Sequence, residues 1–148
     1  MRISIVIPVY NEEKNLRELH RRLRDVFDGK NFEVDFIFID DGSRDQSLFF
    51  LKEMHRGDPR VKVIALSRNF GHQVALSAGI TRASGDAVIL MDGDLQDPPE
   101  ALPDFIEKWR TGYDVVYAIR TKRKENVFKR FAYFLFYRLL RKASNIEI

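Results

Sequence analysis

Five short, nearly unbroken apolar runs punctuate this chain, and they constrain its fold more than any other feature. They are Ile3–Val9, Val34–Ile39, Val61–Leu66, Ala87–Met91 and Val115–Ile119. Runs of this length without alternating polar positions read as strands buried on both faces. Between them the period changes. Leu16, Leu19, Leu23, Val26 and Phe27 recur at helical spacing up to Gly29. Leu48, Leu51 and Met54 give a second helix that stops at Gly57, with Asp40 or Ser43 placed to cap it. A small-residue helix follows from about Gln73 to Ala83, and Pro99 suits the first turn of one running to about Thr111. Five such repeats predict an α/β domain: a Rossmann-like, mostly parallel sheet with helices on both faces. At 148 residues the chain is long enough for one domain with a real core.

In sheets of this kind ligands bind outside the carboxyl ends of the strands. The polar clusters that follow the runs should therefore meet. The strongest is Asp92-Gly93-Asp94-Leu95-Gln96. Two bare carboxylates this close repel unless a cation lies between them, and Gly93 permits the turn that aims both at one point. A hard divalent ion shared with substrate phosphates fits that pattern, with Gln96 offering a neutral oxygen. Asp40-Asp41-Gly42-Ser43 places two more carboxylates at a strand end, one free to accept hydrogen bonds from a base or ribose. In Pro8-Val9-Tyr10-Asn11-Glu12-Glu13, Tyr10 offers a stacking face and Glu12 a nucleotide contact, whereas Glu13 reads as a helix-dipole residue. In Ser67–Gly71, Arg68 could face phosphate. His72 reads as a structural or substrate-contact residue, since no second histidine supplies a metal pair, and His20 and His55 read as surface residues.

Several function classes are excluded. No Gly-x-x-x-x-Gly-Lys loop is present and no Gly-x-Gly-x-x-Gly follows the first run, which removes support for ATPase and ordinary dinucleotide readings. The absence of cysteine excludes disulfides and thiolate metal sites. Apolar residues at 45% and charged residues at 32% are ordinary for a soluble globular protein. No signal peptide is evident and no uncharged apolar stretch approaches the length of a membrane span. Charge is divided unevenly. Residues 1–119 carry 16 basic and 20 acidic side chains, and residues 120–142 carry 9 basic and 1 acidic. Residues 127–142 are cationic and rich in Phe and Tyr, a composition suited to an amphipathic helix at an anionic membrane surface. The alternatives for this segment are packing on the domain or against a second copy. A nucleic-acid role is not expected.

Pro8-Val9-Tyr10-Asn11-Glu12, Asp40-Asp41-Gly42-Ser43 and Asp92-Gly93-Asp94-Leu95-Gln96, in this order, resemble the family 2 glycosyltransferases of the GT-A fold. The likeness is greatest to the polyprenyl-phosphate group, which includes dolichol-phosphate mannosyltransferase and bacterial undecaprenyl-phosphate glucosyltransferases. The resemblance implies an inverting transfer from a nucleoside-diphosphate sugar, a UDP-sugar by the bacterial look, to a polyprenyl phosphate at the cytoplasmic face of the membrane. Pro8, Tyr10 and Glu12 would line the nucleotide pocket, and Ile39 and Asp41 would contact the base. Asp92, Gly93 and Asp94 would meet the diphosphate and a Mg²⁺ or Mn²⁺ ion, with Gln96 as a further ligand and Asp92 and Asp94 as the catalytic pair. Arg120 would reach a phosphate or the acceptor. Residues 1–119 would form the donor-binding core and residues 120–148 a basic membrane-interface segment. Family members continue well past this length, so the resemblance implies a fragment, peripheral in this form, with acceptor contacts beyond Ile148. Transfer to a polysaccharide or soluble acceptor, a non-catalytic nucleotide-binding module, and self-association are the alternatives.

Overall fold

A computed structural model describes residues 1–119. The elements follow in the expected alternation: β1 (Arg2–Val9), α1 (Leu16–Phe27), β2 (Glu33–Asp40), α2 (Ser47–Gly57), β3 (Val61–Ala65), α3 (His72–Arg82), β4 (Ala87–Leu90), a 3-10 turn (Pro99–Ala101) and α4 (Leu102–Arg110). All strand pairings are parallel, in the order β3-β2-β1-β4. The chain first steps outward from β1 to β3 and then returns to the far side of β1. With right-handed crossovers, that reversal puts α3 on the face opposite α1 and α2. Ile3, Ile5, Ile7, Phe36 and Phe38 accordingly pack with Leu16, Leu19, Leu23, Leu51 and Leu102 on one face. Val6, Ile37 and Ile39 pack with Ala75 of α3 on the other. The helix α3 covers β1 and β2, and on the same face of β4 Val88 and Leu90 are exposed.

Three sequence expectations change. Residues 114–119 form no strand among the described residues, and Val115, Tyr117 and Ile119 are exposed. Val, Tyr and Ile favour strand geometry, but a strand exists only where a ladder partner takes its backbone groups. Neither Asp40 nor Ser43 caps α2. That helix starts four residues after Ser43, and Asp45 accepts the Ser47 N–H at 2.9 Å instead. His20 is not a surface residue. Its side chain is 14% exposed and its Nε2 lies 3.1 Å from Asp58 Oδ2. The contacts group Met1–Tyr113 into one compact unit, which ends before the last described residues, 114–119. The expected helix over 127–142 lies outside the described residues. Among the described residues no helix is long and apolar enough to cross a membrane.

Asp58 gives the fold a pH dependence. Burial by itself raises its pKa. Hydrogen bonds from the Arg60 side chain and backbone and from His20 outweigh burial and hold the carboxyl at about 2. Because the folded value lies below the unfolded one, this group stabilises the protein above about pH 4, and that contribution fades as pH falls toward 2. Asp58→Asn is therefore expected to cost about 2 kcal/mol at pH 7. The cost should shrink at pH 3, as read by urea unfolding at both pH values.

Candidate functional site

The loops at the carboxyl ends of the strands converge on one cleft of about 420 Å³, within the size range of small-molecule sites. The end of β1 supplies Pro8, Val9, Tyr10 and Glu12, and the end of β2 supplies Asp41. The loop after β3 and the first turn of α3 supply Asn69, Gly71, His72 and Ala75. The turn after β4 supplies Asp92, Gly93 and Asp94. The cleft thus spans the junction of β1 and β4, where the strand order reverses and a ligand crevice opens. A broader depression of about 530 Å³ lies at the amino ends of β1 and β2, lined by Arg2, Lys30 and Asp86 among others. Its Arg2 is ion-paired with Glu33 and Asp35.

Cross-loop hydrogen bonds set the cleft's shape. The Asn11 N–H donates to Ser43 Oγ (3.0 Å), and the Arg44 N–H donates to Asn11 Oδ1 (2.8 Å). Asn11 takes a left-handed conformation (φ 57°) that its short amide side chain tolerates. The Glu12 N–H donates to Ser47 Oγ, and Glu13 and Gln46 complete the seam through Asp45 and the Glu13 carboxylate. Glu13 therefore ties two loops together instead of serving a helix dipole. Ser47 and Asp45 carry this seam without any motif of their own, and sequence reading missed both.

Asp41 is 3% exposed, and its two carboxylate oxygens accept the Phe70 and Gly71 N–H groups at 2.7 and 2.9 Å. It clamps the loop after β3 to the end of β2. Gly42 completes the clamp. It has φ +66°, and a Cβ there would lie 2.4 Å from the Arg68 carbonyl carbon. Gly93 also works through close approach, since a Cβ on it would sit 3.2 Å from the Pro8 carbonyl oxygen. The left-handed residue of that turn is Leu95 (φ 62°), packed against the main core. Asp94 Oδ1 accepts the Gln96 N–H at 2.9 Å. Asp92 Oδ1 lies 3.7 Å from His72 Nε2, with both side chains about half exposed.

Pro8, Tyr10, Glu12, Asp41, Asp92, Gly93 and Asp94 are thus brought together as the sequence predicts. Three other residues are not. The Ile39 side chain is fully buried against α3, because strand alternation turns it into the core. Gln96 does not line the cleft, since the turn at Leu95 carries the chain away. The Arg68 guanidinium lies 4.5 Å from the centre of the Phe70 ring instead of facing the cleft. Arg120 lies outside the described residues. Asn69 and Gly71 come from the Ser67–Gly71 cluster expected at this edge, and Ala75 is an addition that only the fold reveals.

Comparison with known proteins fits this arrangement. The profile described as Glycosyl transferase family 2 matches residues 4–146. The chain belongs to that family. An uncharacterized glycosyltransferase of Bacillus subtilis (strain 168), YkcC, is 51% identical over 146 residues, covering 98% of this chain and 45% of the relative. A prophage bactoprenol glucosyl transferase homolog of Escherichia coli (strain K12) is 42% identical over 149 residues, covering 100% of this chain and 49% of the relative. The family 2 chain described here therefore spans about half the length of these curated relatives. Among solved structures, glucosyl-3-phosphoglycerate synthase from Mycobacterium tuberculosis, in complex with Mn²⁺, UDP and glucosyl-3-phosphoglycerate, aligns with a TM-score of 0.59. It has 25% identity and covers 75% of this chain and 40% of its own. The fold is the GT-A type of α/β sheet.

Proposed function

We propose that this family 2 chain forms the donor-binding part of an inverting glycosyltransferase that moves a sugar from a UDP-sugar to a polyprenyl phosphate. The observation that carries the reading is the meeting of Asp92 and Asp94 with Tyr10, Glu12 and Asp41 in one cleft at the strand-order reversal. The bactoprenol glucosyl transferase relative supports the acceptor class, and the UDP- and Mn²⁺-bound neighbour supports the donor and ion.

Tyr10 presents a half-exposed ring for stacking a base. Asp41 lines the same cleft and holds the loop after β3 against it. Among the described residues no group of three or more His, Asp or Glu side chains forms a closed ligand set. Two strand-end carboxylates with open space before them fit Mg²⁺ or Mn²⁺, because such ions take substrate phosphate oxygens alongside one or two carboxylates. When bound, the ion would neutralise the departing diphosphate. An acceptor phosphate oxygen attacks the anomeric carbon from the face opposite the diphosphate. The anomeric C–O bond breaks, and its electron pair leaves with the nucleoside diphosphate. The acceptor is already anionic near neutral pH, so no strong base is required. The cationic, aromatic composition of residues 127–142 suits the cytoplasmic membrane surface where such an acceptor resides.

Titration calorimetry of the full-length protein with UDP-glucose and GDP-mannose, with and without Mn²⁺, tests the reading when followed by a product assay on undecaprenyl phosphate. Metal-dependent UDP-sugar binding, at about 1 µM to 1 mM, and a lipid-linked product are expected. Binding without turnover on any acceptor supports a non-catalytic module. Turnover on a soluble glycan but not on lipid phosphate moves the acceptor class.

A further inference from the structure

The described walls of the cleft carry four carboxylates, Glu12, Asp41, Asp92 and Asp94, and no Lys or Arg. A sugar diphosphate entering there adds negative charge to a negative site, and one divalent ion offsets only part of it. The basic side chain on those walls is His72. It differs from the other two histidines. His20 is bound to Asp58, and His55 Nδ1 lies 2.6 Å from the Val61 carbonyl oxygen. The His72 ring makes no hydrogen bond among the described residues, and its 3.7 Å separation from Asp92 is too long to be one.

The ring is uncommitted, yet its backbone is held firmly. Asp41 grips the amides of the two preceding residues, Phe70 and Gly71. Gly42 seats the same loop at Arg68 and Asn69. His72 also opens α3, whose N-terminus has no side-chain cap. The free amides of a first helical turn favour negative charge at that end.

We propose that His72 contacts the leaving diphosphate of the donor, donating its Nε2–H to a phosphate oxygen, and so sets the preference for a diphosphate over a monophosphate. A neutral imidazole supplies that donor. The inference rests on the donor-site reading above.

The test compares UDP with UMP, and GDP with GMP, by calorimetry in Mn²⁺ on full-length wild type, His72→Ala, His72→Gln and Asp92→Asn. Mn²⁺ alone is titrated in parallel. His72→Ala should weaken the diphosphate about tenfold, the loss of one charge-assisted hydrogen bond. It should change the monophosphate less than about twofold and leave Mn²⁺ affinity unaltered, because Asp92 and Asp94 remain. His72→Gln, which keeps an N–H donor, should recover most of the loss. Unchanged UDP affinity in His72→Ala, while Asp92→Asn weakens it, would overturn the inference and leave the donor site standing. Equal losses for UDP and UMP would overturn it, as would an equal fall in Mn²⁺ affinity, which makes the ring an Asp92 support. Failure of the wild type to bind either diphosphate would remove the donor-site reading and this inference together.

Discussion

Asp92→Asn and Asp94→Asn in the full-length protein are each expected to lower metal-dependent glycosyl transfer by about 10³-fold or more. Each removes a negative charge from the end of β4, where the diphosphate's ion would be held. The loss corresponds to about 4 kcal/mol of transition-state stabilisation. Both substitutions keep the side chain's shape and one carbonyl oxygen, so the Gln96 N–H retains its acceptor at position 94. Asp92 is about half exposed, and among the described residues its carboxylate makes no hydrogen bond, only the 3.7 Å approach to His72. Thermal melting should therefore barely move, which separates a chemical loss from a folding loss. Raising Mn²⁺ should recover part of the activity if the variants bind the ion more weakly. Retention of full metal-dependent transfer in both variants would falsify the assignment of this pair.

The largest structural effect is expected from Gly42→Ala. The added Cβ would lie 2.4 Å from the Arg68 carbonyl carbon and 2.6 Å from the Asn69 nitrogen, both backbone atoms. The loop after β3 cannot retreat without breaking the two hydrogen bonds from Phe70 and Gly71 to Asp41. Left-handed strain adds to the clash. A destabilisation of about 3 kcal/mol or more is expected, read by urea unfolding. UDP affinity should fall as well, because Asp41, Asn69, Gly71 and His72 all belong to the cleft wall this contact aligns. Gly29→Ala is the control. It has φ +74° but nothing within 4 Å of its Cβ position, so it should cost only about 1 kcal/mol. Equal losses in the two variants would show that conformational strain, and not loop packing, is what matters at position 42.

Much of this fold is legible in the sequence because its signals are local. Leu16, Leu19, Leu23 and Phe27 define the buried face of α1 by spacing alone, and all four are buried. The apolar runs of β1 and β2 are buried over seven consecutive positions, as a strand covered on both faces must be. Where local propensity lacked a partner, it misled. Residues 115–119 have the composition of a strand but no ladder among the described residues. The cleft was legible in outline because a parallel sheet sends every strand's carboxyl end to one edge.

The sequence by itself determined that carboxylates stand at the ends of β2 and β4, with Tyr10 and Glu12 after β1. Those positions follow from periodicity and punctuation within about ten residues. Only the tertiary structure decided how each group is used. It made Asp41 the clamp of a loop some 30 residues away. It turned Ile39 into the core, left Gln96 outside the cleft, and paired Asn11 with Ser43. The physical reason is that hydrogen bonds and close contacts form between segments distant in sequence. A sequence displays each donor, acceptor and glycine; which of them meet is fixed only when the strands take their order in the sheet.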